Sequence, residues 1–313
     1  SATTQSENGR GSNGKIEMTG IQKLRELILE FAVRGKLAPQ CKEDEPASIL
    51  LERVACSSEN AERTTKARKS ENKNRPTEEK VPFQIPNNWE WTYLPNIAKY
   101  STGKTPPTKN PEYWESSTEG TPWVSIADIP HLGAIHNTKK FVSEKARKDV
   151  FRSNPVPPET ILMSFKLTLG KTAVTKVPVY HNEAIISIYP FVDISRDYLF
   201  KVLPMRALAG DTRSAIKGNT LNSKSLAQLL IPLPPQDEQH RIVQKVDELM
   251  ALCDRLEQQT SDQLEAHETL VDTLLNTLTQ SENATELADN WARLAAHFDT
   301  LFATEQSIDK LKQ

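Results

Sequence analysis

Apolar residues recur at helical spacing at both ends of the chain and crowd into short runs between them. Over 19–37, Ile21, Leu24, Ile28 and Phe31 fall three and four residues apart with Leu27 beside them, which predicts an amphipathic helix. Thr19 is placed to cap it and Gly35 to stop it. Residues 47–56 predict a second, short helix with Ile49, Leu50 and Val54 on one side. From Asp237 to about Gln280 there is neither proline nor glycine. Along that stretch Ile242, Val246, Leu249, Cys253, Leu256, Thr260, Leu264, His267, Val271, Leu274 and Leu278 advance by threes and fours. Two successive fours meet at Thr260, the mark of a coiled-coil seam with a stutter. Such a helix is about 65 Å long. Its seam calls for another long helix, from a second half or a symmetry mate. Pro234-Pro235 ahead of Gln236-Asp237-Glu238 is a strong start signal. A further helix is expected over 284–303, with Asn283 and Glu286 as a capping-box-like pair and Leu287, Trp291, Leu294, Phe298 and Leu301 as its stripe.

Between these helices the texture changes. Residues 81–235 hold most of the prolines and four of the five tryptophans. Candidate strands are Trp123–Ile126, Thr160–Ser164, Thr172–Val177 and Ala184–Ile188, punctuated by turn residues. Trp89, Trp91, Trp114 and Trp123 are expected in the core rather than as base-stacking platforms. The expected class is therefore α+β: a globular mixed α/β domain flanked by long coiled-coil-like helices. The expected stretches are a disordered tail (1–18), an N-terminal helical region and linker (19–80), the globular domain (81–235) and a long helical spacer (236–313). Within the linker, 57–80 suits either a solvated helix or a flexible connection.

Charge sharpens this division. The net charge is −2, yet residues 86–234 hold 18 Lys and Arg against 12 Asp and Glu, while 235–313 hold 6 against 16. The basic block can track phosphates and the acidic block is repelled by them. No apolar run is long enough to span a membrane. The polar N-terminal stretch has no apolar core of a signal peptide. Cys41, Cys56 and Cys253 form no CxxC pair, so neither zinc nor a disulfide framework is suggested, and a reducing, cytoplasmic setting fits.

Candidate chemistry is sparse. Gly103-Lys104-Thr105 and Gly170-Lys171-Thr172 invite a phosphate-loop reading, but the required upstream glycine is replaced by Ala98 and Phe165. No Asn/Asp-Pro-Pro-aromatic motif of an amino-methyltransferase occurs. His131 and His136 have no third ligand in register. Nothing in the sequence supports catalysis.

Several motifs occur in an order that resembles one family. Ile231-Pro232-Leu233-Pro234-Pro235-Gln236-Asp237-Glu238-Gln239-His240-Arg241-Ile242-Val243 closely resembles the segment that ends a target recognition domain and opens a long helix in the specificity subunits of type I restriction-modification systems. Gly218-Asn219-Thr220-Leu221-Asn222 and Leu162–Lys171 are similar to its closing and central motifs, and Gly103–Pro106 and Gly120–Ile129 to its opening ones. Ile85–Trp91 and Phe31–Leu37 fit as well. A full member carries two recognition domains, and this chain carries one. The opening Gly20-Ile21-Gln22-Lys23-Leu24-Arg25 is echoed by Ser307-Ile308-Asp309-Lys310-Leu311-Lys312, as in one half of an internally repeated protein.

The resemblance implies a non-catalytic subunit that reads a duplex DNA half-site. Its implied partners are modification (methyltransferase) subunits holding S-adenosylmethionine and restriction (motor-nuclease) subunits using ATP, with a homodimer as one route to two half-sites. Neither cofactor is expected on this chain. The candidate DNA contacts lie in three polar loops: Lys104, Thr105, Thr108 and Lys109; Lys166, Thr168 and Lys171; and Lys217, Asn219, Thr220, Asn222 and Lys224. Lysine and asparagine suit base edges, and threonine suits phosphates or a thymine methyl. Each residue alone also suits a plain turn. The candidate helix-packing residues are Ile242, Val246, Leu249, Leu256, Leu264, Val271, Leu274 and Leu278. Two other classes stay open: a coiled-coil adaptor whose basic domain binds protein, and a DNA methyltransferase or nuclease with unrecognised motifs.

Overall fold

The computed structural model describes residues 19–57, 76, 81–115, 119–166, 168–209, 223–302 and 309. The first apolar stripe forms helix α1, Thr19–Val33. It ends short of Leu37 because Gly35 adopts φ +66° and Lys36 N–H returns to the Phe31 carbonyl at 2.9 Å, a left-handed stop. Helix α2, Ala47–Cys56, buries Ala47, Leu50 and Val54. Ile49 is exposed, so it does not share the face of Leu50 and Val54 as the spacing suggested.

Eleven strands follow among the described residues: β1 Glu90–Tyr93, β2 Ala98–Thr102, β3 Trp114–Glu115, β4 Thr121–Val124, β5 Gly133–Ile135, β6 Lys140–Val142, β7 Ile161–Ser164, β8 Thr172–Thr175, β9 Tyr180–His181, β10 Ile185–Pro190 and β11 Leu230–Leu233. They form a five-stranded sheet in the order β2-β10-β7-β8-β5 and a four-stranded sheet in the order β3-β6-β4-β9. A two-stranded antiparallel pair, β1 with β11, completes the set. Among the described residues, only the β5–β8 and β4–β9 pairs are parallel.

The strand β4 shows how alternation builds the layers. Val124 joins Ile135, Leu162, Ala173 and Ile185 of the five-stranded sheet in one buried cluster. Its neighbour Trp123 points the other way and packs with Val142, Ala146, Phe151 and Tyr180. β4 ends two residues before Ile126 because the Ser125 N–H and hydroxyl both bind Asp128 and turn the chain. On the other face of the five-stranded sheet lies helix α3, Arg196–Ala209, packed on β8 and β10. The helix carries Pro204 inside it, and sequence pattern does not announce it.

The β1–β11 pair is tied to α3 by two bonds. Tyr198 donates its hydroxyl to the Pro232 carbonyl at 2.5 Å, and Arg206 Nε donates to the Leu230 carbonyl at 2.8 Å. Arg206 also lies over the Trp91 and Phe83 rings, at 5.1 and 5.6 Å. Burial lowers its pKa to about 10, which leaves it charged at neutral pH.

The long helix α4 runs Gln236–Thr279. Its first turn is held by buried polar groups. Gln239 accepts from Ser195 N–H at 2.8 Å and donates to the Pro234 carbonyl at 3.0 Å. Glu238 accepts from Gln40 at 2.5 Å, and Arg241 pairs with Asp44. Burial raises the Glu238 pKa. Trp89 Nε1 lies near enough to favour the charged carboxylate, yet Trp89 Nε1 and Glu238 Oε2 close no hydrogen bond of good geometry.

The chain divides into two compact units, 28–247 and the described residues through Leu27 with those from Glu248 onward, so α1 and α4 both run through the division. In the first unit Ile242 and Val246 of the seam are fully buried. In the second, Arg25 binds Asp254 and Glu257 at 2.6 and 2.7 Å. Leu249 and Leu264 are half-buried, Cys253 is buried and Leu256 is 47% exposed. Val271, flanked by Leu274 and Leu275, packs with Leu294, Leu301 and Phe302 from the segment that follows α4, so that part of the seam is covered by this chain itself. Leu278 is half-buried. Helix α5, Ala284–Ala296, is capped by Asn283, which accepts from Glu286 N–H at 2.9 Å. It stops at Ala296 rather than continuing to 303, and a separate turn covers Phe298–Leu301.

Candidate nucleic-acid interface

The register of the five-stranded sheet brings two of the three nominated loops to one end. Thr102, the last residue of β2, sits opposite Ile186, and Ser164, the last of β7, opposite Ile185 at the start of β10. The loop 103–110, the turn 165–171 and the short 182–184 connection therefore leave the sheet together. The third loop lies outside the described residues at Lys217, Asn219, Thr220 and Asn222. Lys224 falls in the helical turn Ser223–Ala227, whose side chain there is not described.

The loop 103–110 is held from below and behind. Gly103 rests on His181: a β-carbon there would lie 1.9 Å from the His181 carbonyl oxygen and 2.4 Å from Nδ1. Lys104 N–H donates to that same carbonyl at 2.8 Å. The His181 ring is buried, and its Nδ1 lies 3.2 Å from the Asn182 carbonyl, which can only accept. Burial pushes the ring pKa down to about 4, so it is neutral near pH 7. Two indoles fix the rest of the loop. Trp123 Nε1 donates to the Lys104 carbonyl at 3.1 Å and Trp114 Nε1 to the Pro107 carbonyl at 3.2 Å. The two rings meet edge to face at 5.1 Å. Trp89, Trp91 and Trp123 are buried as expected, and Trp114 is half-buried.

Lys104 and Thr105 point to different neighbours. The Lys104 ammonium donates to the Val150 and Phe151 carbonyls at 2.9 and 3.3 Å, capping the helical segment 144–151. The Thr105 hydroxyl donates to the Glu183 carboxylate. That bond, helped by Glu183's own backbone N–H, holds the carboxyl below its usual range. Lys166 lies close enough to act on Glu183 through its charge, with its ammonium 5.3 Å from the Phe165 ring centre. The turn 165–171 is closed by Ser164: its carbonyl accepts from Gly170 N–H at 3.0 Å, and its hydroxyl donates to the Thr168 carbonyl and accepts from Lys171 N–H. Thr108 and Lys109 are exposed at the loop tip. The Lys109 and Lys171 ammonium groups make no ion pair with a described residue.

Sequence reasoning passed over the segment capped by Lys104. It begins with a turn at Glu144–Ala146 and continues as a π-helical turn, Arg147–Phe151, a rare geometry that concentrates at functional positions. Arg152 follows at φ +55°. Together they present Arg147, Lys148, Arg152, Ser153 and Asn154, with Glu144, around a hollow of about 440 Å³.

Comparison with known proteins bears on this arrangement. The family described as the type I restriction modification DNA specificity domain matches residues 86–266, which span every strand from β1 to β11. The chain belongs to this family. Two curated members from Escherichia coli, the type I restriction enzyme EcoAI and EcoEI specificity subunits, are each 39% identical over 99% of the chain. The chain covers 53% and 52% of them, so it spans about half the length of the curated relatives it matches. A solved structure described as concerning complex assembly and conformational transition of the type I R-M system shares the fold, with a TM-score of 0.51 at 18% identity over 80% of this chain and 55% of the other. The family's match thus covers the paired loops, the basic segment and the anchored start of α4.

Proposed function

We propose that this chain reads a half-site in duplex DNA as part of a type I restriction-modification assembly and carries out no chemistry itself. The observation that carries this reading is the convergence of the loops at 103–110 and 165–171 at one end of a rigid sheet, in a domain of a family described by its DNA specificity. Phosphate contacts would fix the register, and polar side chains of the loops would meet base edges. Modification and restriction subunits would be its protein partners, acting in the cytoplasm. S-adenosylmethionine and ATP would be held by those partners and not by this chain. Among the described residues, no helix is long and apolar enough to cross a membrane.

The deciding experiment mixes the chain with its modification subunit and S-adenosylmethionine, and maps methylated adenines across a plasmid library. Two identical inverted half-sites at fixed separation are expected if two copies act together. A folded chain that binds the modification subunit yet directs no site-specific methylation would overturn the reading. Calorimetric binding of S-adenosylmethionine by the chain alone would favour the methyltransferase alternative. An adaptor would lack the steep loss of duplex affinity with salt that phosphate neutralisation produces.

A further inference from the structure

The interface carries a division of labour that rests on the duplex-reading function proposed above. We propose that the hollow lined by Arg147, Lys148 and Arg152 takes a phosphodiester group of the DNA backbone, and that Glu183, held by Thr105 at the end of the sheet, accepts an amino group from a base edge.

The case for the hollow is its chemistry. Three cations surround it against one carboxylate, Glu144, which lies 3.2 Å from Arg147 and 3.8 Å from Lys148. One negative charge among three leaves a net +2. Asp149, the other acid of the segment, offers its carbonyl to Arg152 Nε at 3.2 Å and acts through its charge on Lys145. Ser153 and Asn154 add neutral donors at the rim. Guanidinium, ammonium, hydroxyl and amide groups around an open hollow suit a tetrahedral phosphate monoanion. The segment is also fixed in place. Lys104 caps its last carbonyls, Ser143 caps its first turn through Ala146 N–H at 3.2 Å, and the Tyr180 hydroxyl donates to the Ser153 carbonyl at 2.6 Å.

The case for Glu183 is its sign. It is an exposed carboxylate at the end of the sheet from which the loops 103–110 and 165–171 leave, with Lys166 close enough to act on it through its charge. A phosphate would repel it. The donors a duplex offers to such a group are base amino groups, cytosine N4 in the major groove above all. The bond from Thr105 holds the carboxylate in one orientation, as a reader requires. Lys104 and Thr105 are adjacent in sequence, so one rigid dipeptide sets the base reader against the backbone site.

The test measures binding of the full chain to a duplex as a function of salt, alongside selection from a randomised duplex pool. Arg147→Gln/Lys148→Gln/Arg152→Asn is expected to lower the slope of log affinity against log salt by about 1 to 2, and to weaken all sequences alike. Asparagine is chosen at 152 because it tolerates the left-handed backbone. Lys176→Gln, a lysine paired with Glu159 and not among the residues that line the hollow, serves as a control and is expected to leave the slope unchanged. Glu183→Gln is expected to keep the slope and relax preference at one base pair of the half-site. An unchanged slope in the triple variant, with normal salt-dependent binding by the parent, would overturn the phosphate site and leave the function standing. A uniform loss of affinity without altered preference would overturn the role of Glu183. A parent chain with no salt-sensitive duplex binding would overturn the function and both sites with it.

Discussion

His181 sits under the interface without reaching it. Its ring is neutral because charging it beneath Gly103 would strand a cation away from water. The folded pKa of about 4 lies below the ordinary value of 6.5, so the unfolded chain binds the extra proton more readily. The contribution is therefore complete above about pH 6.5 and lost as pH falls toward 4. A shift of this size is worth about 3 kcal/mol. Urea titrations from pH 7 to pH 4 are expected to show stability falling over that window, with a visibly flatter profile for His181→Gln. Equal profiles would show that the ring is not the group responsible. Gly103→Ala addresses the same contact from above. The added carbon meets the His181 carbonyl, which is backbone, as well as Nδ1 of the buried ring, so the loop must move. Loss of duplex affinity with the rest of the domain still folded, read by near-UV circular dichroism, is the expected result.

At the scale of elements, the start of α4 explains a sequence motif by its burial. Of the four residues Gln236-Asp237-Glu238-Gln239, the last two are fully buried and the first two are not. Gln239→Leu leaves Ser195 N–H and the Pro234 carbonyl without their partner, at a cost of about 2–4 kcal/mol. Gln236→Ala removes one bond to the exposed Arg53 and is expected to change stability by less than about 0.5 kcal/mol. Chemical denaturation of the two variants checks the contrast, and comparable losses would refute it. The helices were legible in sequence because their 3.6-residue period is local: α2 and α4 lie within a residue of where the pattern put them. Four strands were legible from apolar runs. β3, β5, β6 and β9 are two or three residues long, too short to show alternation, and exist because partners far along the chain pair with them. Helix α3 hid behind Pro204. The loops 103–110 and 165–171 could be named from their motifs, but their meeting at Glu183 depends on β2, β7 and β10 being neighbours. The segment 144–154 was overlooked because its cations alternate with Glu144 and Asp149, which in sequence looks like an ordinary solvated face.

At the scale of the whole molecule, the unit formed by 19–27 and 248–302 leaves a question of cover. Val271 is enclosed by the helices after α4, while Leu252 and Leu256 are 40% and 47% exposed, and Leu24 and Leu27 are 40% and 42% exposed. Residues 248–313 hold 13 acids against 4 Lys and Arg, so DNA is not what covers these leucines. Two half-sites require two reading domains, and the chain spans half the length of its curated relatives. A second copy of this chain is one way to supply the second reading domain, and the middle of the seam is then the contact expected between the two. Sedimentation equilibrium is expected to give a concentration-dependent dimer mass for the parent and a monomer for Leu252→Asp/Leu256→Asp, whose changes fall on solvent-facing positions and leave the 28–247 unit untouched. The same variant should keep the salt slope of single-site duplex binding per chain while losing cooperative occupancy of paired half-sites. A parent that stays monomeric at high concentration, yet directs methylation at paired half-sites with its modification subunit, would place the pairing of domains in the partner instead of the seam.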